Sequence, residues 1–202
     1  MTEEEAQAWI RERYGVSRET RISAFVDLLR DEAAKQNLVA PSTLDQIWAR
    51  HIVDSAQLLD HAPVDGVWLD IGSGAGLPGL VIALLRDAPV ELVEPRKLRT
   101  DFLARAAGEL GAGNVTIHTA KIERTGGRTA VIFARGVGSL TELFRIATHR
   151  STSSTVWVLP KGRNAQSEVE EARRKWHGSF HVEPSITASD SLIVVAREVR
   201  PR

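Results

Sequence analysis

The sequence predicts an α/β fold, a doubly wound and mostly parallel sheet with a helical cap at its N-terminal side. Three observations lead there. Apolar residues recur at helical spacing through the first sixty residues, and beyond Pro63 short apolar runs alternate with helical stretches. The last two apolar runs, near 179–183 and 191–198, have no helical pattern between them. Alternating strand and helix patterns of this length build parallel sheets. Two adjacent runs without a crossover form a hairpin, so one C-terminal strand is expected to be antiparallel.

Each element has its own signal. In 21–38, Ile22, Phe25, Val26, Leu28 and Leu29 mark one helix; in 43–60, Leu44, Ile47, Trp48, Ile52, Val53, Leu58 and Leu59 mark a second. Pro41 breaks the chain between them, and Ser42 or Thr43 can cap the second helix. Val67–Ile71, Val90–Val93, Val115–His118, Ala130–Ala134, Thr155–Leu159 and Leu192–Ala196 read as strands. Leu77–Leu85, Lys97–Leu110, Leu140–Thr148 and Gln166–Lys175 read as helices. The expected organisation is a cap over 1–62 and a sheet domain over 63–202, packed as one compact unit. Trp48, Trp68 and Trp157 are expected in the core.

Composition narrows the functional classes. The chain has 202 residues, 43% hydrophobic and 26% charged, ordinary for a globular protein. Folding at this length buries about 70% of the unfolded chain's surface. There is no cysteine, which removes disulfides, thiolate metal sites and cysteine nucleophiles, and fits a reducing cytoplasm. The opening MTEEEAQAWI is acidic, unlike the basic start of a signal peptide. No apolar run approaches a membrane span. The six histidines lack metal-ligand spacing, so no metal is expected. Net charge is zero but polarised: residues 1–70 carry 7 basic and 13 acidic side chains, residues 71–202 carry 19 and 13. A basic face on the second part is one reading, chance the other.

The strongest local signal is Val67-Trp-Leu-Asp-Ile-Gly-Ser-Gly-Ala-Gly-Leu-Pro-Gly79, an apolar strand running through glycines into a helix. A ligand would sit beyond the strand's carboxyl end, at the helix start. Gly74, Gly76 and Gly79 satisfy the dinucleotide pattern G-x-G-x-x-G. Asp70, Gly72, Gly74 and Gly76 satisfy D-x-G-x-G-x-G, the loop of S-adenosylmethionine (SAM) methyltransferases. Glu94 ends the next strand and could hold ribose hydroxyls in either case. Asp70 separates the two. A carboxylate 4 Å from a pyrophosphate would repel it by roughly 1–4 kcal/mol, but would attract the ammonium and sulfonium of SAM. SAM is therefore the expected cofactor, with Asp70 facing its cationic groups.

The acceptor is constrained by absences. Carbon-5 methylation of pyrimidines commonly needs a covalent cysteine. Amino-methylating enzymes of this fold commonly carry an Asn/Asp-Pro-Pro-Tyr/Phe loop after the fourth strand; here that strand ends Val131-Ile-Phe-Ala-Arg-Gly-Val-Gly138. Arg135 offers planar donors and a permanent charge but no base. A nucleophile with a free lone pair needs none, and the 7-nitrogen of guanine is one. Residue types alone leave a small-molecule methyltransferase, a nicotinamide oxidoreductase and a non-catalytic SAM-binding module open.

Four stretches go further: Asn37-Leu-Val-Ala40, Arg50-His-Ile-Val-Asp-Ser55, the glycine loop with Leu77-Pro-Gly79, and Phe133-Ala-Arg135 with Leu159-Pro-Lys-Gly162. In order and spacing the chain resembles, over about 20–198, the bacterial 16S rRNA guanine-N7 methyltransferase family RsmG (glucose-inhibited division protein B). The resemblance implies a class I SAM-methyltransferase, Rossmann-like fold. It implies methylation of a guanine 7-nitrogen in 16S rRNA of the small ribosomal subunit, at the decoding region. Separately from the resemblance, a cytoplasmic location is expected, and a monomer is the default expectation. The resemblance maps cofactor positions onto Gly72, Leu77, Ile122, Glu123 and Arg135. Family members often have Lys-Arg where this chain has Leu98-Arg99, and Asp where Glu94 stands.

The expected cofactor set is thus Asp70, Gly72, Gly74, Gly76, Leu77, Glu94, Ile122, Glu123 and Arg135. Arg135 also has an orienting role toward the guanine. Arg50, His51, Arg99, Lys161 and Arg163 are the expected substrate contacts. Each has a plainer reading: His51 as a hydrogen-bonded structural residue, Arg99 as part of a solvated helix face with Arg96, Lys97 and Arg105, and Lys161 and Arg163 as surface charges. Asp54 and Ser55 are expected to be structural, bonding the glycine-loop backbone.

Overall fold

The computed structural model describes residues 1–62 and 65–202. The cap–sheet junction expected at Pro63 lies outside the described residues. Two helices open the chain, α1 (Glu3–Tyr14) and α2 (Val16–Ala33). Thr2 and Glu5 close a capping box at the start of α1. Gly15, at φ +85°, ends α1 and begins α2, a turn that no other residue makes cheaply. The helix expected over 21–38 therefore begins earlier and stops at Ala33.

The helix expected over 43–60 is wound irregularly. Pro41–Gln46 is 3-10, Trp48–Val53 is π-wound, α3 (Asp54–Ala56) is one α turn, and Gln57–His61 is 3-10 again. The apolar periodicity is satisfied all the same, since Ile47, Trp48, Ile52, Val53 and Leu58 are buried. A contact from outside braces the entry to the π turn. The Glu3 carboxylate accepts from the backbone N–H of Trp48 at 3.0 Å and of Ala49 at 2.9 Å.

Seven strands form one sheet in the order β3-β2-β1-β4-β5-β7-β6. They are β1 (Trp68–Ile71), β2 (Val90–Val93), β3 (Val115–His118), β4 (Val131–Phe133), β5 (Val156–Lys161), β6 (Trp176–Pro184) and β7 (Leu192–Pro201). β1 to β5 are parallel; β7 runs antiparallel to β5 and pairs with β6 as the expected hairpin. The crossovers are α4 (Gly79–Leu85), α5 (Lys97–Glu109), α6 (Leu140–Ala147) and α7 (Ala165–Lys175).

Period-two alternation gives the sheet two apolar faces. Trp68, Leu92, Phe133 and Val158 pack with α4, α5 and the cap; Leu69, Ile71, Ile132 and Trp157 pack with α6 and α7. Cap residues Ile22, Phe25 and Ile52 belong to the same apolar cluster as Leu80, Leu84 and Leu103. Trp48, Trp68 and Trp157 are buried, as expected. β1 lies between β2 and β4, so the chain reverses direction across the sheet there. That is the crevice position at which open α/β sheets bind ligands.

Candidate functional site

A cleft of about 410 Å³ opens at the carboxyl ends of β1, β2 and β4. Gly72, Gly74 and Leu77 form one wall, and Glu94, Arg96 and Arg99 a second. Ile122, Glu123, Arg135 and Val137 complete it. Gly72, Gly74 and Gly76 all have positive φ. A Cβ on Gly72 would stand 2.5 Å from Val137 Cγ2, so the loop's close approach to the β4 end requires glycine. Gly76 does not line the cleft. A Cβ there would meet Leu80 Cβ at 2.9 Å, so it serves the packing of loop on helix.

Glu94 organises the cleft floor. Its Oε2 accepts from the Gly74 N–H at 3.1 Å and its Oε1 from the Arg96 N–H at 2.9 Å. Arg99 Nη1 lies 3.6 Å from Oε2. Arg99, expected among the RNA contacts, thus sits inside the cleft beside Glu94. The neighbouring Leu98, where the family often has a lysine, is 73% exposed.

Asp70 corrects the sequence reading. It shares the β1 face of Trp68, so its side chain points under α4 and is fully buried, away from the cleft lining. Its Oδ2 accepts from the Gly79 N–H at 3.0 Å, where α4 starts. Its Oδ1 is buried without a hydrogen-bond partner. Burial, only partly offset by the hydrogen bonds of Ser73 and Gly79, pushes its pKa up to about 7. Asp70 therefore braces the loop from beneath and does not face the cleft.

Arg135 follows β4 and is held by the cap, its Nη1 donating to Asp54 Oδ2 at 3.3 Å. Asp54 Oδ1 accepts from Gln57 Nε2 at 2.9 Å and from Thr187 Oγ1 at 3.0 Å. Asp54 and Ser55 were expected to bond the glycine loop. Instead Asp54 ties cap, β4 end and hairpin together, and Ser55 Oγ donates to the His51 carbonyl at 2.6 Å. Asp54's partners across the fold are far apart in sequence, and no local pattern announces them.

The expected substrate residues divide. Arg50 and Arg163 are exposed; Arg163 pairs with Asp190 at 2.8 Å. Lys161 has a side chain only 9% exposed, and its Nζ donates to the Gly138 carbonyl at 2.7 Å and pairs with Glu168 at 3.0 Å. It clamps the loop after β4 and is not a free entrance charge. His51 Nε2 lies 2.8 Å from Thr43 Oγ1, and its Nδ1 is buried without a partner. Burial first, then the charges of Arg135 and Arg50, push its pKa down to about 4, so it is neutral near pH 7. His51 lines neither the cleft nor the cavity beside Arg135. Leu38, from the Asn37-Leu-Val-Ala40 stretch, does line the cleft and was not singled out from sequence.

The residues fit a SAM-type ligand. The loop cradle excludes side chains at Gly72, the floor carries a fixed carboxylate at Glu94, and an apolar side chain at Ile122 adjoins Glu123. Comparison with known proteins decides the family. The family described as rRNA small subunit methyltransferase G (GidB) matches residues 18–192. The chain belongs to this family.

Relatives of the rRNA small subunit methyltransferase G family agree along the chain. The Ribosomal RNA small subunit methyltransferase G of Zymomonas mobilis is 43% identical, covering 100% of this chain and 96% of its own. That of Novosphingobium aromaticivorans is 47% identical, covering 98% of this chain and 89% of its own. Solved structures share the fold at low identity. Precorrin-6y C5,15-methyltransferase from Geobacter metallireducens has a TM-score of 0.55 at 16% identity, covering 81% of this chain and 91% of its own. The glycopeptide N-methyltransferase MtfA, complexed with sinefungin, has 0.61 at 10%, covering 73% and 93%. The fold is thus that of class I SAM methyltransferases, and family membership makes the chain a SAM-dependent methyltransferase of small-subunit rRNA. Among the described residues no helix is long and apolar enough to cross a membrane, and no three His, Cys, Asp or Glu converge as metal ligands.

Proposed function

We propose that the protein transfers the methyl group of SAM to the 7-nitrogen of a guanine in 16S rRNA, at the decoding region of the small subunit. It does so as a cytoplasmic monomer. One observation supports the chemistry: Arg135, which cannot accept a proton, lines the glycine-loop cleft at the β4 end, and this suits an acceptor that attacks with a free lone pair. SAM, when bound, supplies an electrophilic methyl group on a sulfonium.

The chain's residues bind, align and shield. Glu94 holds the ribose with the lone pairs that Gly74 and Arg96 leave free, and Arg99 balances its charge. Ile122 and Glu123 border the adenine. Gly72, Gly74 and Leu77 shape the methionine side, and Gly76 lets loop and helix pack there. Arg135 orients the guanine, its guanidinium fixed by Asp54. Arg50 and Arg163 meet RNA phosphates, a role that needs only positioned charge. A paired guanine is shielded, so the target base is unpaired or extruded.

The test incubates the protein with labelled SAM and small subunits from cells lacking the modification, then identifies the labelled nucleoside. Labelled 7-methylguanosine is expected. Another methylated nucleoside would overturn the acceptor assignment.

A further inference from the structure

Beyond Arg135 lies a second cavity of about 230 Å³. It shares Arg135 and Gly136 with the cofactor cleft. Pro160, Leu192 and Ile193 give it apolar surface, Lys161, Ser185 and Ser191 give it polar surface, and its single carboxylate is Asp54. Four distant segments build it: the cap, the residues after β4, the end of β5 and the start of β7 with the loop before it.

Asp54 is fixed there and not saturated. Oδ1 takes two donors, from Gln57 and Thr187, while Oδ2 takes one, from Arg135. A carboxylate oxygen offers two acceptor positions, so Oδ2 keeps one. The side chain is 16% exposed, enough to meet a ligand but not to wander. Gln57 also holds the loop before β7, donating to Ser185 Oγ at 3.0 Å and accepting from the Ile186 N–H at 3.0 Å. The acceptor is therefore preorganised from both sides.

Three apolar side chains for a flat ring, one fixed anionic acceptor and the cations Arg135 and Lys161 suit a planar base whose edge carries a donor next to an acceptor. Guanine has that edge, with a 2-amino group and N1–H beside O6. Adenine carries C2–H where guanine has the 2-amino group, and would leave the free Asp54 acceptor position unpaired.

We infer that this second cavity seats the acceptor base and that Asp54 Oδ2 accepts a hydrogen bond from the 2-amino group of guanine, an assignment that rests on the proposed methyl transfer to guanine. Arg135, the residue common to both cavities, donates to O6 and leaves the 7-nitrogen toward the cleft. Asp54 is then a specificity-determining residue as well as the anchor of Arg135.

The experiment uses small-subunit RNA carrying either guanosine or inosine, which lacks the 2-amino group, at the mapped methylation position. Single-turnover rates and SAM affinity are measured for the wild type and Asp54→Asn. The wild type is expected to slow roughly ten- to hundredfold on inosine. Asp54→Asn is expected to lose a similar factor on guanosine and no further factor on inosine. Its rates are compared at saturating SAM, because Asp54 anchors Arg135, which lines the cofactor cleft. A purely structural Asp54 would leave the preference for guanosine intact in the variant, and that result would overturn the inference. So would equal wild-type rates on the two RNAs, a comparison that needs no variant to fold. If the wild type makes no 7-methylguanosine even on the guanosine RNA, the proposed function itself falls.

Discussion

Asp70 is buried and His51 half-buried, and burial shifts the pKa of each away from its ordinary value. Asp70 has a pKa of about 7, raised from 3.8. Its native form binds the extra proton between these values, so its contribution to stability falls as pH rises from 3.8 to about 7. Ionised, it favours a cation in the cleft above it. SAM affinity of the wild type should therefore rise between about pH 6 and about pH 8, while Asp70→Asn, which keeps an acceptor for the Gly79 N–H, should show a flat profile. Calorimetric titration at both pH values checks this. His51 has the opposite sign. Its pKa falls from 6.5 to about 4, so the unfolded chain binds the extra proton and stability drops as pH is lowered through that window. Urea denaturation of His51→Gln should lack that acid-side loss. At Gly72 the effect is steric. Alanine would place a Cβ 2.5 Å from Val137 Cγ2 and demands positive φ, so Gly72→Ala should lose measurable SAM binding.

Among elements, α1 is the least expected contributor. Nothing in its sequence marks it as part of a site. Yet Glu3 accepts from both Trp48 and Ala49 N–H groups and so fixes the π-wound turn that leads to Asp54. Two buried donors lose their partner in Glu3→Ala, at a cost of about 1–3 kcal/mol. We expect a lower melting temperature and a raised KM for RNA, with SAM affinity unchanged; thermal unfolding and steady-state kinetics separate these. The strands were legible as short apolar runs between helical stretches: β2 and β3 have the bounds expected of them. The 43–60 helix was legible only as buried helical structure. Apolar spacing tolerates 3-10, α and π winding alike, and the choice among them rests on contacts such as Glu3, which lie more than forty residues away.

At the scale of the molecule, cap and sheet share one apolar cluster, and Arg18, Arg21 and Arg105 bind across the boundary to Leu85, Leu110 and Glu32. We propose that they unfold as one unit, and scanning calorimetry should show a single transition. Net charge is zero, so RNA binding depends on local cations and not on the overall field. Arg50→Ala and Arg163→Ala should each weaken RNA binding and reduce its salt dependence, with SAM affinity intact. Lys161→Ala should instead destabilise the loop after β4, since Lys161 is held by Gly138 and Glu168.

By itself the sequence determined the doubly wound sheet, the hairpin end, the glycine loop and the family. These come from periodicity, from glycines that admit positive φ, and from motifs read along the chain. Only the tertiary structure decided which way the functional side chains point. It turned Asp70 under α4 because of its strand face, drew Arg99 to Glu94, and withdrew Lys161 into a clamp. It also joined Asp54 to Arg135 and Thr187, respectively 81 and 133 residues away. A side chain's partners across the fold depend on packing between distant segments, and local spacing carries no record of them.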